Sequence, residues 1–265
     1  MIPLITSRHN PKVKQAAALR SRRQRDSEGL TLIDGPRETL RALAAGVTVP
    51  QVFVCEQHCT NDEAREAIAG AEAASAERLD VTPEVFDKLN YGDRTDGVIA
   101  VGQVRVRSLA DLRLPTKALV AVIEGVEKPG NLGAILRTAD GAGVDAVVVA
   151  DPVIDLFNPN VIRASVGTVF KPNIAVAPAA KTLPWLREQK LSLYATRPAA
   201  AIDCFAADFT TGAAIVLGNE ALGLSDVWSD GVTGLSLPMH GIADSLNVST
   251  AAAVMFYEAL RQRGG

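Results

Sequence analysis

The sequence predicts an α/β protein, with a smaller N-terminal α/β unit and a larger domain built on a mostly parallel sheet. Three observations carry this. Apolar strands alternate with helical stretches along nearly the whole chain. From residue 118 the strands lengthen into near-continuous apolar runs, as expected of strands buried on both faces. Between the two patterns, residues 105–117, "RVRSLADLRLPTK", are charged and lack a firm period, so the linker is placed at 106–117 between units 1–105 and 118–265.

In chain order, a basic helix opens the N-terminal unit. "GLTLIDG" is a strand, and "PRETLRALAAG" is a helix opened by Pro36 and closed by Gly46. "PQVFVCE" is the second strand, and an alanine-rich helix covers 61–78. "LDVT", the short helix "PEVFDKL" and the strand "GVIAVGQV" complete the unit. In the second domain the strands are "ALVAVIEGV", "DAVVVAD", "NIAVAP", "SLYATR", "AAIVLG" and "GLSLPM". Helices at 133–142, 161–168, 182–189 and 248–262 lie between or after them. Ligands of such sheets sit beyond the carboxyl ends of strands, which directs attention to the loops 125–133, 196–200, 218–225 and 238–249.

Net charge is −3, unevenly spread: Arg8, Lys12, Lys14, Arg20, Arg22, Arg23 and Arg25 put +7 in the first 25 residues, leaving −10 for the rest. A basic arm on an acidic body suits a polyanion, and Arg8, Lys12, Arg22 and Arg23 are candidate nucleic-acid contacts. A solvated charged helix and an organellar targeting segment compete; "HNPK" interrupts the arm early and weakens the second. No apolar run reaches the roughly 18 residues of a membrane span. Cys55, Cys59 and Cys204 are odd in number and lack a disulfide pattern, which points to the cytoplasm. "CEQHC" has no second Cys or His pair to close a zinc site, so no metal is expected.

Three loops carry chemistry. In "EGVEKPGNLGAILRTADGAG", a Pro-Gly turn leads into a helix whose N-terminus favours an anion, with the forked donors of Arg137 one turn in. A dinucleotide site would place Asp151 on a ribose, but G-x-G-x-x-G is absent. In "IVLGNEALGLS", glycines flank Glu220 directly after a buried strand; an ordinary turn with an exposed acid is the competing reading. In "LPMHGIADSLNVST", Leu237, Met239 and Leu246 can line a pocket into which Ser245, Asn247 and Ser249 point polar groups. Helix capping needs only one of those three; a hydroxyl is expected to serve.

Taken together and in this order, "NLGAILRTA", "LGNEALGL" and "LPMHGIADSLNVSTA" resemble the three motifs of the SpoU (TrmH-like) family of SPOUT RNA 2′-O-methyltransferases, over roughly residues 118–262. The N-terminal unit resembles, more loosely, the ribosomal-protein-like RNA-binding domain of many members. The resemblance implies a trefoil-knotted C-terminal domain, S-adenosylmethionine as methyl donor, and a homodimer in which Arg137 reaches the partner's cofactor. It implies a ribose 2′-hydroxyl as acceptor, with ribosomal RNA favoured over transfer RNA. Cofactor contacts then fall on Thr196, Leu217, Gly218, Leu237, Met239 and Leu246, and the polar active-site positions are Asn131, Arg137, Glu220, Ser245 and Asn247. Arg163 matches a further basic position, suited to RNA phosphate. The alternatives are a nicotinamide-dependent oxidoreductase, which explains only the first loop, and a non-catalytic RNA-binding protein.

Overall fold

The protein is described here by a computed structural model covering residues 2–91, 96–219 and 222–264. It divides into two compact units.

The first unit holds a four-stranded sheet of β1 (Leu30–Asp34), β2 (Gln51–Val54), β3 (Glu77–Asp80) and β4 (Val98–Gln103) in the order β1-β4-β2-β3. Strand β4 is antiparallel to both neighbours, while β2 and β3 run parallel. The predicted basic helix is two helices, α1 (Pro11–Ala18) and α2 (Arg22–Glu28), broken at Leu19–Ser21. Helices α3 (Pro36–Ala44), α4 (Asp62–Ala73) and α5 (Pro83–Leu89) complete the order. The helix expected over 61–78 stops early, because Ser75 takes a positive φ of 67° and Glu77–Asp80 pairs with β2. Both sheet faces are covered: one cluster joins Val13, Leu32, Phe53, Phe86 and Ile99, another Val52, Val54, Ala67 and Val98.

This unit also includes residues 155–171, which the sequence reading placed in the 118–265 domain. Long-range polar contacts give the reason. Buried Arg25 (4% exposed) donates through Nε to Asp155 at 2.7 Å, and through a terminal nitrogen to the Leu19 and Arg20 carbonyls. The Thr31 hydroxyl donates to the Phe157 carbonyl (2.8 Å), and Arg41 donates to that of Val166 (2.5 Å). Helix α7 (Pro159–Ala164) thus packs on β1.

The second unit holds a parallel seven-stranded sheet: β5 (Leu119–Glu124), β6 (Ala146–Ala150), β7 (Ile174–Ala177), β8 (Ser192–Thr196), β9 (Ile202–Asp203), β10 (Ala213–Leu217) and β11 (Thr233–Ser236). Their order is β7-β6-β5-β10-β8-β11-β9, with every adjacent pair parallel. Strand β9, unforeseen from the sequence, has two residues, too few to leave a periodic signal. Val120, Val122, Val148, Val216 and Trp228 pack on one face of the sheet. Successive strand residues point to opposite faces, so Leu119, Ile123, Ile215 and Leu217 bury on the other. Helix α8 (Ala179–Glu188) is part of this unit, and α6 (Pro129–Gly141) packs against α9 (Val248–Gln262), which also contacts β10. Helix α6 starts earlier than expected because Pro129 sits at N1, where its missing N–H costs nothing. Asn131 therefore lies in the first helical turn rather than in a loop.

Candidate active site

At the carboxyl edge of the second sheet, four neighbouring strands release their loops side by side: β5 at Glu124, β10 at Leu217, β8 at Thr196 and β11 at Ser236. The loops after β8, β10 and β11, with Lys128 ahead of α6, line a cavity of about 530 Å³. Thr196, Leu217, Gly218, Leu237, Met239 and Leu246, the six predicted cofactor residues, all line it. So do Ser245 and Asn247 from the predicted polar set.

The loop after β10 folds back on itself. Asn219 and Gly223 exchange two backbone hydrogen bonds of 3.0 Å, and Gly223 supplies the positive φ of 70°. Residue 218 must be glycine here, because a Cβ would meet the Gly223 carbonyl carbon and oxygen at 2.7 Å. The Asn219 amide donates to the Gly125 carbonyl (2.8 Å) and to Glu127 Oε1 (3.1 Å), while its Oδ1 accepts from Leu222 N–H (3.0 Å). Asn219 thereby ties the loop after β10 to the one after β5. Its polar amide in a glycine-flanked loop was the signal available in the sequence, where only its neighbours were singled out.

At the head of α9 the cap is the amide of Asn247 and not the expected hydroxyl. Its Oδ1 accepts from Ser249 N–H (2.9 Å) and from the Ser249 hydroxyl (2.7 Å), and its Nδ2 donates to Asn131 Oδ1 (3.3 Å). An amide can accept and donate at once, so one residue caps α9 and reaches α6. Ser245 is left to face the cavity.

Arg137 is exposed on α6 and is not among the lining residues. Glu220 lies outside the described residues. Lys128, Arg197, Leu235 and Met255 also line the cavity and were not singled out from the sequence. Asp151, the ribose-binding acid of the oxidoreductase alternative, instead accepts the Ala179 N–H at 3.0 Å and caps α8.

The basic candidates belong to the first unit. Arg8 donates to the Glu84 carbonyl (2.7 Å), Lys12 pairs with Glu77, and Arg22 pairs with Asp26 at 3.6 Å. Arg23 is exposed; burial pushes the pKa of Asp34 up, and the charge of half-buried Arg163 opposes that rise. Arg20 donates to the Asn90 carbonyl and lies 4.9 Å from the centroid of the Tyr91 ring, a cation–π distance. With Arg25 buried, part of the arm's charge is therefore structural.

A parallel α/β domain whose adjoining strand-end loops enclose one cavity, part apolar and part polar, is a small-molecule site of the α/β class. Sequence comparison names the class more closely. The model of the SpoU rRNA methylase family matches residues 118–257, and that of the MRM3-like substrate binding domain matches residues 10–100. An uncharacterized tRNA/rRNA methyltransferase of Synechocystis is 31% identical, over 99% of this chain and 95% of its own. A 23S rRNA uridine 2′-O-methyltransferase of Streptomyces viridochromogenes is 29% identical, over 98% of this chain and 92% of its own. Among solved structures, an RNA 2′-O ribose methyltransferase superposes with a TM-score of 0.88 at 42% identity, covering 98% of this chain and 99% of the other. An AdoMet-bound rRNA methyltransferase of Sinorhizobium meliloti gives a TM-score of 0.88 at 27% identity, with 98% of each chain covered. The chain belongs to the SpoU rRNA methylase family.

S-adenosylmethionine is the methyl donor of this family, and the cavity fits it. Its volume lies in the range of cofactor sites, roughly 300–1,000 Å³. Leu217, Leu235, Leu237 and Met255 give it an apolar wall, and Gly218 lines it without a side chain.

Proposed function

We propose that the protein transfers a methyl group from S-adenosylmethionine to a ribose 2′-hydroxyl of ribosomal RNA in the cytoplasm. The observation that carries this is the convergence of the six predicted cofactor residues on one cavity, with the Asn131–Asn247 bridge beside it. The ribosomal target rests on what the relatives are named for and on the N-terminal substrate-binding domain. No helix among the described residues is long and apolar enough to cross a membrane.

The bound cofactor supplies an electrophilic methyl group. The chain's part is orientation and charge. Guanidinium does not deprotonate readily, so Arg137 orients a substrate phosphate and stabilises developing alkoxide character, while that phosphate helps remove the hydroxyl proton. Asn131, Ser245 and Asn247 orient the ribose and the cofactor loops, with Glu220 acting from the loop after β10. Arg8, Lys12, Arg22, Arg23 and Arg163 hold RNA phosphates, and residues 1–105 serve as the RNA-binding unit. The second unit is a trefoil-knotted domain; the insertion of β10 between β5 and β8 supports this reading. The working form is a homodimer, which the exposure of Arg137 away from the cavity supports: it serves the partner's cofactor.

The test incubates purified protein with isotopically labelled S-adenosylmethionine and separate pools of unmodified ribosomal and transfer RNA. Nucleoside mass spectrometry then locates the label. A labelled 2′-O-methylnucleoside in the ribosomal pool is expected. Label only in transfer RNA overturns the target. Cofactor binding without label in either pool favours the non-catalytic RNA-binding alternative.

A further inference from the structure

Behind the cavity, and not lining it, lies a buried carboxylate that the reaction does not use. Glu124 closes β5 and is 5% exposed. Its Oε2 accepts the Ser225 N–H (2.9 Å), and its Oε1 accepts both the Ser225 hydroxyl (2.7 Å) and the Trp228 indole N–H (2.9 Å). Trp228 is fully buried, and its own carbonyl accepts from Arg197 at 3.2 Å. Arg197 lines the cavity beside Thr196, whereas Ser225 ends the loop that carries Gly218. One carboxylate therefore ties the end of β5 directly to the loop after β10 and, through Trp228, indirectly to Arg197 in the loop after β8.

We infer that Glu124 is a positioning residue for the cofactor: it holds the loop after β10, and through Trp228 the Arg197 side chain, in the shape that receives S-adenosylmethionine. The chemistry of its partners supports the assignment. All three are donors, and a carboxylate can accept from all of them. An isosteric amide cannot: whichever way it is turned, its NH₂ faces either the Ser225 N–H or the Trp228 indole N–H, so Glu124→Gln should break one of the two ties. Ser225→Ala is milder, because it removes one donor and keeps the backbone N–H. Neither residue meets the RNA in this scheme, so the defect should fall on cofactor affinity alone.

The inference rests on the S-adenosylmethionine reading of the cavity, and the experiment separates the two. Calorimetric titration of the RNA-free protein with S-adenosylmethionine gives Kd for wild type, Glu124→Gln and Ser225→Ala, alongside steady-state kinetics and thermal melts. Expected is a Kd and a cofactor KM raised at least tenfold in Glu124→Gln and about threefold in Ser225→Ala. At saturating cofactor, kcat stays within about threefold of wild type and KM for RNA is unchanged. A merely structural residue would lower the melting temperature without that split. Should Glu124→Gln fail to fold, Ser225→Ala decides alone. A Kd within twofold of wild type in every folded variant, or a loss of kcat at unchanged cofactor KM, overturns the inference. No binding by the wild type overturns the reading of the cavity and the inference with it.

Discussion

Asp34 gives the sharpest physical prediction. It ends β1 and is 3% exposed, with Oδ2 accepting the Tyr91 N–H at 2.9 Å. Burial pushes its pKa from the ordinary 3.8 up to about 6; the Tyr91 hydrogen bond and Arg163 oppose the rise, and Glu38 and Asp96 add to it. The sign follows from proton counts. Between those two values the folded protein keeps a proton that the unfolded chain has lost. The group's contribution is thus fully present below pH 3.8 and lost as pH rises through about 6. At about 1.4 kcal/mol per unit, a rise of roughly two units sets a ceiling near 3 kcal/mol. Asp34→Asn removes the titration and keeps an oxygen for the Tyr91 N–H. Urea denaturation followed by circular dichroism should find the variant about 2 kcal/mol more stable than wild type at pH 8, and close to it at pH 4. An equal difference at both pH values would refute the reasoning. So would a variant less stable at pH 8, since Arg163 would then be compensating the charged acid in full.

Other substitutions test the site and its frame. Arg137→Ala should lower methyl transfer by roughly 10²-fold or more while leaving the calorimetric Kd for S-adenosylmethionine within twofold; unchanged turnover removes Arg137 from the mechanism. Gly218→Ala forces a Cβ onto the Gly223 carbonyl group at 2.7 Å, so cofactor affinity should fall at least tenfold, about 1.4 kcal/mol, in the same titration. Arg25→Met leaves the largely covered Asp155 without its cation and should cost about 3 kcal/mol of unfolding free energy by urea titration, because breaking a mostly buried pair strands a charge.

Much of the fold was readable because its signals are local. Strands β6 and β10 are unbroken apolar runs and β5 is one up to Glu124, and Pro36 and Pro83 open helices at N1 where proline is favoured. What was not readable depends on distant partners. Nothing in "DLFNPNVIRASVGTVF" says that Asp155 will meet Arg25, 130 positions earlier, or that Phe157 will accept from Thr31. Those contacts place residues 155–171 in the first unit, so a cut at residue 105 does not remove that unit whole. Deleting residues 1–105 would strip β1 from α7 and strand Asp155. A loss of cofactor binding in that truncation would therefore not measure the RNA-binding unit alone.

The site divides the same way. Its residues could be picked out as three motifs, but strand order decides that they form one cavity. β10 follows β8 in the chain yet inserts between β5 and β8, so the ends of β5, β10, β8 and β11 stand in a row. Loops that begin at residues 125, 197, 218 and 237 thereby become neighbours. Periodicity reports which face of a strand is buried and says nothing about which strand lies next to it. Two of the residues that sequence reasoning missed, Asn219 and Glu124, are ones whose work consists of joining two such loops. Each looks ordinary until its partner is known: an amide in a tight turn, an acid at the end of a strand. The recognised residues that face the cavity sit in motifs and carry a type suited to a ligand, which lets them be picked out alone. Residues that hold loops together carry a type suited to each other, and only the folded chain brings them into one view.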